Sequence, residues 1–243
     1  MIALIDSGVG GVNILARCVT FLPNDYVLLV DNLNAPYGNL SKKRLFNITK
    51  KNIDFLIKKY KIEAIILACN TLSFTIFDKI KNEYNIPIIK MQFDESKINK
   101  NKKEILFFAT KNTIKNNKKL IDKNNWKPLY VKDLPLFIDN NINKLDNIKN
   151  KINKKIKNKK NINTIVLGCT HFLLIKKQLK EIFPFAKFYD NSQDVICELK
   201  KNVKPKQTKS VHIVLTRKDY ARYVEFKTLA FRLIRGGGCD STL

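Results

Sequence analysis

Ala64-Ile65-Ile66-Leu67-Ala68-Cys69-Asn70-Thr71 and Thr164-Ile165-Val166-Leu167-Gly168-Cys169-Thr170-His171 are two versions of one local pattern. Each begins with a compact apolar run, of the kind a strand buried on both faces of a parallel sheet requires. A small residue, a cysteine and polar neighbours follow, and then an amphipathic stretch that reads as a helix. The pattern predicts strand, turn and helix, with the cysteine at the carboxyl end of the strand. In open α/β sheets that end is where ligands bind and where helix N-termini begin. Two thiols at equivalent places, Cys69 and Cys169, invite a two-base mechanism.

The N-terminus supplies a third turn of this kind. Ile2-Ala3-Leu4-Ile5 runs into Asp6-Ser7-Gly8-Val9-Gly10-Gly11 and then into the helical Val12 to Arg17. The glycines lack the full dinucleotide spacing, and no Lys-Ser/Thr follows them, which argues against NAD and nucleoside triphosphates. A small carboxylate held by backbone N–H groups fits the turn better. Further along, Tyr26–Val30, Ile86–Ile89, Glu104–Ala109 and Val211–Leu215 read as strands. They alternate with helices over Lys42–Lys59, Leu72–Tyr84 and Tyr220–Leu233, the mark of a parallel sheet covered by helices. The polar stretch Asp94–Lys103 marks a crossing between two such units. From Lys144 to Asn163, Leu145, Ile148, Ile152 and Ile156 recur at helical spacing and predict a solvated amphipathic helix. His212, in an apolar strand, is expected in the core, and Gly236–Cys239 is expected to be a flexible end.

Composition narrows the class. No run approaches the roughly 18 apolar residues that span a bilayer. The five cysteines, Cys18, Cys69, Cys169, Cys197 and Cys239, are irregularly spaced and odd in number, which argues against a disulfide framework or a CxxC zinc site. A soluble protein with reduced thiols in the cytoplasm is the expectation. The net charge of +25 comes mostly from lysines alternating with Asn and Ile, without interleaved aromatic residues to stack on bases. Specific nucleic-acid binding is therefore not expected. Cys18, Cys197 and Cys239 have no motif around them. For Asp6 an N-cap role competes with a functional one, and the threonines, Ser7 and Asn70 could equally be helix caps.

Four motifs together carry a family resemblance: Asp6-Ser7-Gly8-Val9-Gly10-Gly11, Asp31-Asn32-Leu33-Asn34-Ala35-Pro36-Tyr37-Gly38, Ala68-Cys69-Asn70-Thr71 and Gly168-Cys169-Thr170-His171. In their order and spacing, over nearly the whole chain, the sequence resembles the glutamate racemases of the cofactor-independent Asp/Glu racemase superfamily. The resemblance implies two similar open parallel-sheet α/β domains related by pseudo-symmetry, with the active site in the cleft between them. The first domain would take 1–92 plus 206–243, the chain tail returning to complete it, and the second 93–205. It implies catalysis by Cys69 and Cys169, Asp6 assisting the first and His171 the second, with no cofactor and no metal. Cys169 would act on the L enantiomer and Cys69 on the D. Ser7, Pro36, Tyr37, Gly38, Asn70, Thr71, Thr110, Thr113 and Thr170, with Asp6 and His171, would hold a small-molecule substrate. L- and D-glutamate would be interconverted, supplying D-glutamate for peptidoglycan, and such racemases often form homodimers. Racemisation of aspartate or another amino acid by the same thiols, or a lapsed relative that binds DNA, are the alternatives. One departure stands out: where many members carry a glutamate, this chain has Leu134-Pro135-Leu136-Phe137-Ile138-Asp139-Asn140, leaving open whether Asp139 substitutes.

Overall fold

The computed structural model describes residues 1–98, 104–145, 148–154 and 162–236. Among these residues, nine strands form two parallel sheets. The first has the order β4-β3-β1-β2-β9, from β1 (Ile2–Asp6), β2 (Tyr26–Val30), β3 (Ala64–Leu67), β4 (Ile88–Lys90) and β9 (Val211–Leu215). The second has the order β6-β5-β7-β8, from β5 (Glu104–Ala109), β6 (Lys127–Leu129), β7 (Ile162–Gly168) and β8 (Lys187–Asp190). Raising each strand of β4-β3-β1-β2 by four gives β8-β7-β5-β6, the second sheet read from its other edge. The duplicated sequence pattern is thus a duplicated topology, in which β3 corresponds to β7. Strand β9, which pairs with β2 in register Tyr26 to Val211, is the first sheet's addition.

Eleven described α-helices cover the sheets: α1 (Gly10–Phe21), α2 (Lys42–Lys59), α3 (Asn70–Ile80), α4 (Glu95–Ile98), α5 (Lys111–Asn116), α6 (Lys118–Lys123), α7 (Leu134–Asn140), α8 (Ile148–Asn153), α9 (Lys176–Ile182), α10 (Ser192–Asn202) and α11 (Tyr220–Arg235). Helix α2 shows why they form: the Ser41 side chain accepts from Arg44 N at 3.3 Å, satisfying an orphan N–H. Leu45, Thr49, Ile53 and Leu56 then make one buried stripe. Along β1, alternate residues feed different layers. Ala3 and Ile5 join the cluster under α2 and α3, whereas Ile2 and Leu4 join a larger cluster running through Val12 and Leu15 of α1. That larger cluster continues into Phe108, Leu167 and Phe172 of the other half, so one continuous apolar core ties the two sheets together.

Several expectations need correction. His212 is exposed, because β9 is an edge strand, and its ring lies 6.0 Å from that of Tyr60. The helix expected over Lys144–Asn163 is confined, among the described residues, to Ile148–Asn153, with Ile148 and Ile152 buried, and Asn163 belongs to β7. Ile156 lies outside the described residues, as do Cys239 and nearly all of the glycine-rich tail. Helix α3 starts at Asn70, directly after Cys69, and ends at Ile80. No helix among the described residues is long and apolar enough to cross a membrane.

Candidate active site

The site stands where strands end. Asp6 closes β1, Cys69 follows β3 by two residues, Thr110 follows β5 and Cys169 follows β7. These are the carboxyl ends of the central strands of both sheets, the position at which α/β sheets offer side chains to a ligand. Ser7, Pro36, Tyr37, Gly38, Cys69, Thr71, Thr110, Cys169 and His171 line one cleft. The two thiols are nearly covered, at 7% and 6% exposed. Asp6, Asn70, Thr113 and Thr170 do not line the cleft and are bonded to neighbouring side chains around it. Pro135 and Leu136, from the stretch that also carries Asp139, line it as well, as does Tyr130, which no motif in the sequence announces.

Each half reaches across to the other. Thr170 Oγ1 donates to Asp6 Oδ2 at 3.0 Å, and the hydroxyls of Thr71 and Thr110 share a bond of 3.1 Å. Thr110 is bonded in turn to Thr113 at 2.9 Å. Asn191 Nδ2 donates to Asn70 Oδ1 at 2.7 Å, while Asn70 Nδ2 is buried with no protein partner. A buried amide N–H without a partner is costly unless something else accepts from it.

The glycine turn after β1 serves this contact. A methyl group on Gly8 would stand 2.4 Å from Asp139 Oδ2 and 2.6 Å from His171 Nε2. One on Gly10 would stand 2.3 Å from Thr170 Oγ1. Only a residue without a side chain lets the two loops meet this closely. The N–H groups expected to hold a carboxylate are partly spent inside the protein. Gly8 N donates to Asp6 Oδ1 at 3.0 Å and Val9 N to Asp139 Oδ1 at 2.8 Å.

Asp139 therefore belongs to the site. Its Oδ2 is 3.1 Å from His171 Nε2, and His171 Nδ1 is 3.8 Å from Cys169 Sγ. Burial pulls the His171 imidazole down, but the carboxylate of Asp139 and the sulfur of Cys169 together outweigh it, and the net shift is well above the usual histidine value. A proton donor thus stands beside one sulfur. The other sulfur has a different setting. Burial, then the neighbouring charge of Asp6, push the Cys69 thiol well up, against N–H groups of Leu72 and Thr71 that favour the thiolate. Burial likewise raises Asp6 to about 6. Among the described residues, no three His, Cys, Asp or Glu side chains cluster as metal ligands would.

The loop bearing Pro36, Tyr37 and Gly38 is anchored from behind. Tyr37 Oη donates to Asp31 Oδ2 at 2.7 Å, and the fully buried Asp31 also accepts from Thr216 Oγ1 at 2.7 Å. The chain segment after β9 thereby fixes a wall of the cleft.

Two α/β sheets of matching strand order thus each present one covered thiol to a shared cleft. No protein-family model matches the chain. It is 33% identical over 221 residues to a glutamate racemase from Sulfurihydrogenibium sp., covering 84% of this chain and 82% of that one. It is 34% identical over 192 residues to one from Fusobacterium nucleatum, covering 74% and 72%. Among solved structures, a glutamate racemase from Campylobacter jejuni superposes with a TM-score of 0.82 at 27% identity, covering 96% of this chain and 98% of that one. The chain belongs to the glutamate racemase family.

Proposed function

We propose that this protein interconverts L- and D-glutamate by proton transfer at the α-carbon between Cys69 and Cys169. The observation that carries the reading is the pair of thiols, one from the end of each equivalent strand, lining one cleft. The sulfur on one face takes the Cα proton and becomes a thiol, and the sulfur on the other face gives its proton to the carbon and becomes a thiolate. The roles exchange when the other enantiomer enters. Cys169 serves the L enantiomer and Cys69 the D. The elevated Cys69 thiol suits a proton donor, and the His171 imidazolium, held by Asp139, suits exchange of a proton with Cys169. Asp6, behind the cleft lining, adjusts the protonation of Cys69 and attracts the substrate ammonium by its charge.

The carbanionic transition state needs fixed dipoles in place of an electron sink. The unpartnered Asn70 amide, the hydroxyls of Ser7, Thr71 and Thr110 and the backbone of Pro36, Tyr37 and Gly38 line or adjoin the space where the two carboxylates would sit, with Thr113 and Thr170 behind them. The division into 1–92 plus 206–243 and 93–205, a cytoplasmic location and supply of D-glutamate to peptidoglycan belong to the same reading.

The test is circular dichroism of purified protein with L-glutamate and, separately, L-aspartate, after dialysis against a chelator and hydroxylamine. Loss of optical activity with glutamate alone is expected. Turnover of aspartate instead, or a requirement for pyridoxal phosphate or a metal, would overturn the reading.

A further inference from the structure

Asp139 is gripped from three sides. Its Oδ1 accepts from Val9 N in the glycine turn of the first half, and its Oδ2 faces His171 Nε2. Its main-chain carbonyl, in the last turn of α7, accepts from Nη1 of Arg222. The same guanidinium gives Nη2 to Asn140 Oδ1 at 2.5 Å, and Nη1 also lies 3.4 Å from Glu225 Oε2. Arg222 sits in the first turn of α11, where the Asp219 side chain accepts from its backbone N at 3.0 Å and fixes the helix start. Helix α11 follows β9 of the first sheet, whereas α7 packs against the turn that carries His171, after β7 of the second. The last carbonyls of a helix have no intrahelical donor, and a cation there satisfies them. The planar fork of arginine can meet two acceptors at once, as a lysine ammonium on its flexible stem cannot do in a fixed geometry.

We infer that Arg222 is a positioning residue for the Cys169 side of the reaction: by clamping the end of α7 from α11, it holds Asp139 on His171 and so holds His171 beside the sulfur. The inference rests on the two-thiol reading proposed above. Neither helix depends on Arg222 for its anchoring, since α11 is packed through Phe226, Leu229 and Ala230 and α7 through Leu134 and Ile138. Loss of the clamp should therefore loosen the site without unfolding the protein.

The test uses the full chain with Arg222→Met, Arg222→Lys and, as control on the same helix, Tyr220→Ala, whose ring is 82% exposed. Because the enantiomers are equally stable, kcat/KM must fall equally in both directions, and that fall alone cannot locate the damage. The α-deuterium isotope effect can. Arg222→Met should lower kcat by about 10- to 100-fold, as a misplaced catalytic group does, with KM little changed. The isotope effect should rise with the enantiomer that Cys169 deprotonates and fall with the other. Arg222→Lys should recover part of kcat, and Tyr220→Ala should match the parent. Histidine ¹⁵N spectra give a readout independent of turnover, since the chain has two histidines, His171 and His212. Only the His171 signals should move in Arg222→Met. Unchanged kcat, isotope effects that shift alike for both enantiomers, or unmoved His171 signals would overturn the inference. A parent protein inactive on glutamate would instead refute the proposed function, and the His171 signals would still decide whether Arg222 holds its partner.

Discussion

The Cys69 half and the Cys169 half share a strand order, yet they surround their sulfurs differently. Cys69 caps an eleven-residue α-helix whose N–H groups point at it, and its charged neighbour is an acid, Asp6. Cys169 leads into a 3-10 turn, Thr170–Ile175, and its neighbour is a histidine backed by a second acid. Repeating a fold therefore did not repeat a chemical environment. A reaction run in both directions needs two bases on opposite faces but does not need them to be alike. Burial and Asp6 favour protonated sulfur on one side, and on the other a buried imidazole with its pKa raised by Asp139 and Cys169 stands 3.8 Å from the sulfur. The asymmetry comes partly from the last position of the duplicated motif, Thr71 in one copy and His171 in the other, and partly from Asp6 and Asp139 outside it, brought in by β1 and by α7.

The largest expected effect removes one side altogether. Cys69→Ala and Cys169→Ala should each lower racemisation by about 1,000-fold or more, since inversion needs both bases. Each variant should still exchange the α-hydrogen of one enantiomer with deuterated water without inverting it: L for Cys69→Ala, which keeps Cys169, and D for Cys169→Ala. Substantial racemisation by either variant would break the two-base assignment. The opposite pairing of enantiomer and thiol would keep the comparison and reverse its labels.

A second prediction concerns the acid of the first half. Asp6 has its carboxyl raised from 3.8 to about 6 by burial, so its native form holds a proton more tightly than its unfolded form. Below pH 3.8 the group is protonated in both states and has no effect on stability. Above pH 6 the folded protein carries a buried charge, at a cost on the order of 3 kcal/mol. Asp6→Asn should then be more stable than the parent at pH 7 to 8 and lose that advantage as the pH falls toward 4, while racemising poorly. Urea denaturation of both proteins across that range checks the sign, and a difference independent of pH would show that Asp6 titrates in the folded protein as it does in the unfolded chain.

The two halves were also unequally legible. The strands of the first sheet that announce themselves, such as Ile2–Asp6 and Tyr26–Val30, are buried throughout and, but for Asp6 at the end of β1, apolar, because both faces are covered. Lys127-Pro128-Leu129 and Lys187-Phe188-Tyr189-Asp190 are strands as well, but they are short, mixed edge strands with little buried surface, and no apolar run betrays them. His212 misleads for the same reason from the opposite direction: its apolar neighbours lie on an edge. At the site, the cysteines, Asp6, Thr170 and His171 lie inside motifs. Asn191 and Arg222 do not, because their roles exist only through tertiary contact with Asn70 and with the carbonyl of Asp139. Asp139 could be singled out from sequence, but its bond to His171 is a tertiary contact that no spacing announces.

The smallest expected effect tests how far the duplication has diverged in packing. Ala68 and Gly168 occupy the same place in the repeated motif, each directly before its cysteine. A methyl group on Gly168 would stand 2.6 Å from the Ala109 Cβ and 3.0 Å from Phe107 Cζ, and the neighbouring strand β5 cannot yield cheaply. Gly168→Ala should cost about 1–3 kcal/mol as an overpacked core position. The reverse exchange, Ala68→Gly, loses one buried methyl and adds backbone freedom to the unfolded chain, a cost of about 1–2 kcal/mol with no strain transmitted to Cys69. Gly168→Ala should in addition shift Cys169 and lower kcat, whereas Ala68→Gly should leave kcat close to the parent. Equal effects on kcat would mean that the two positions are interchangeable and that the halves differ only in their polar neighbours.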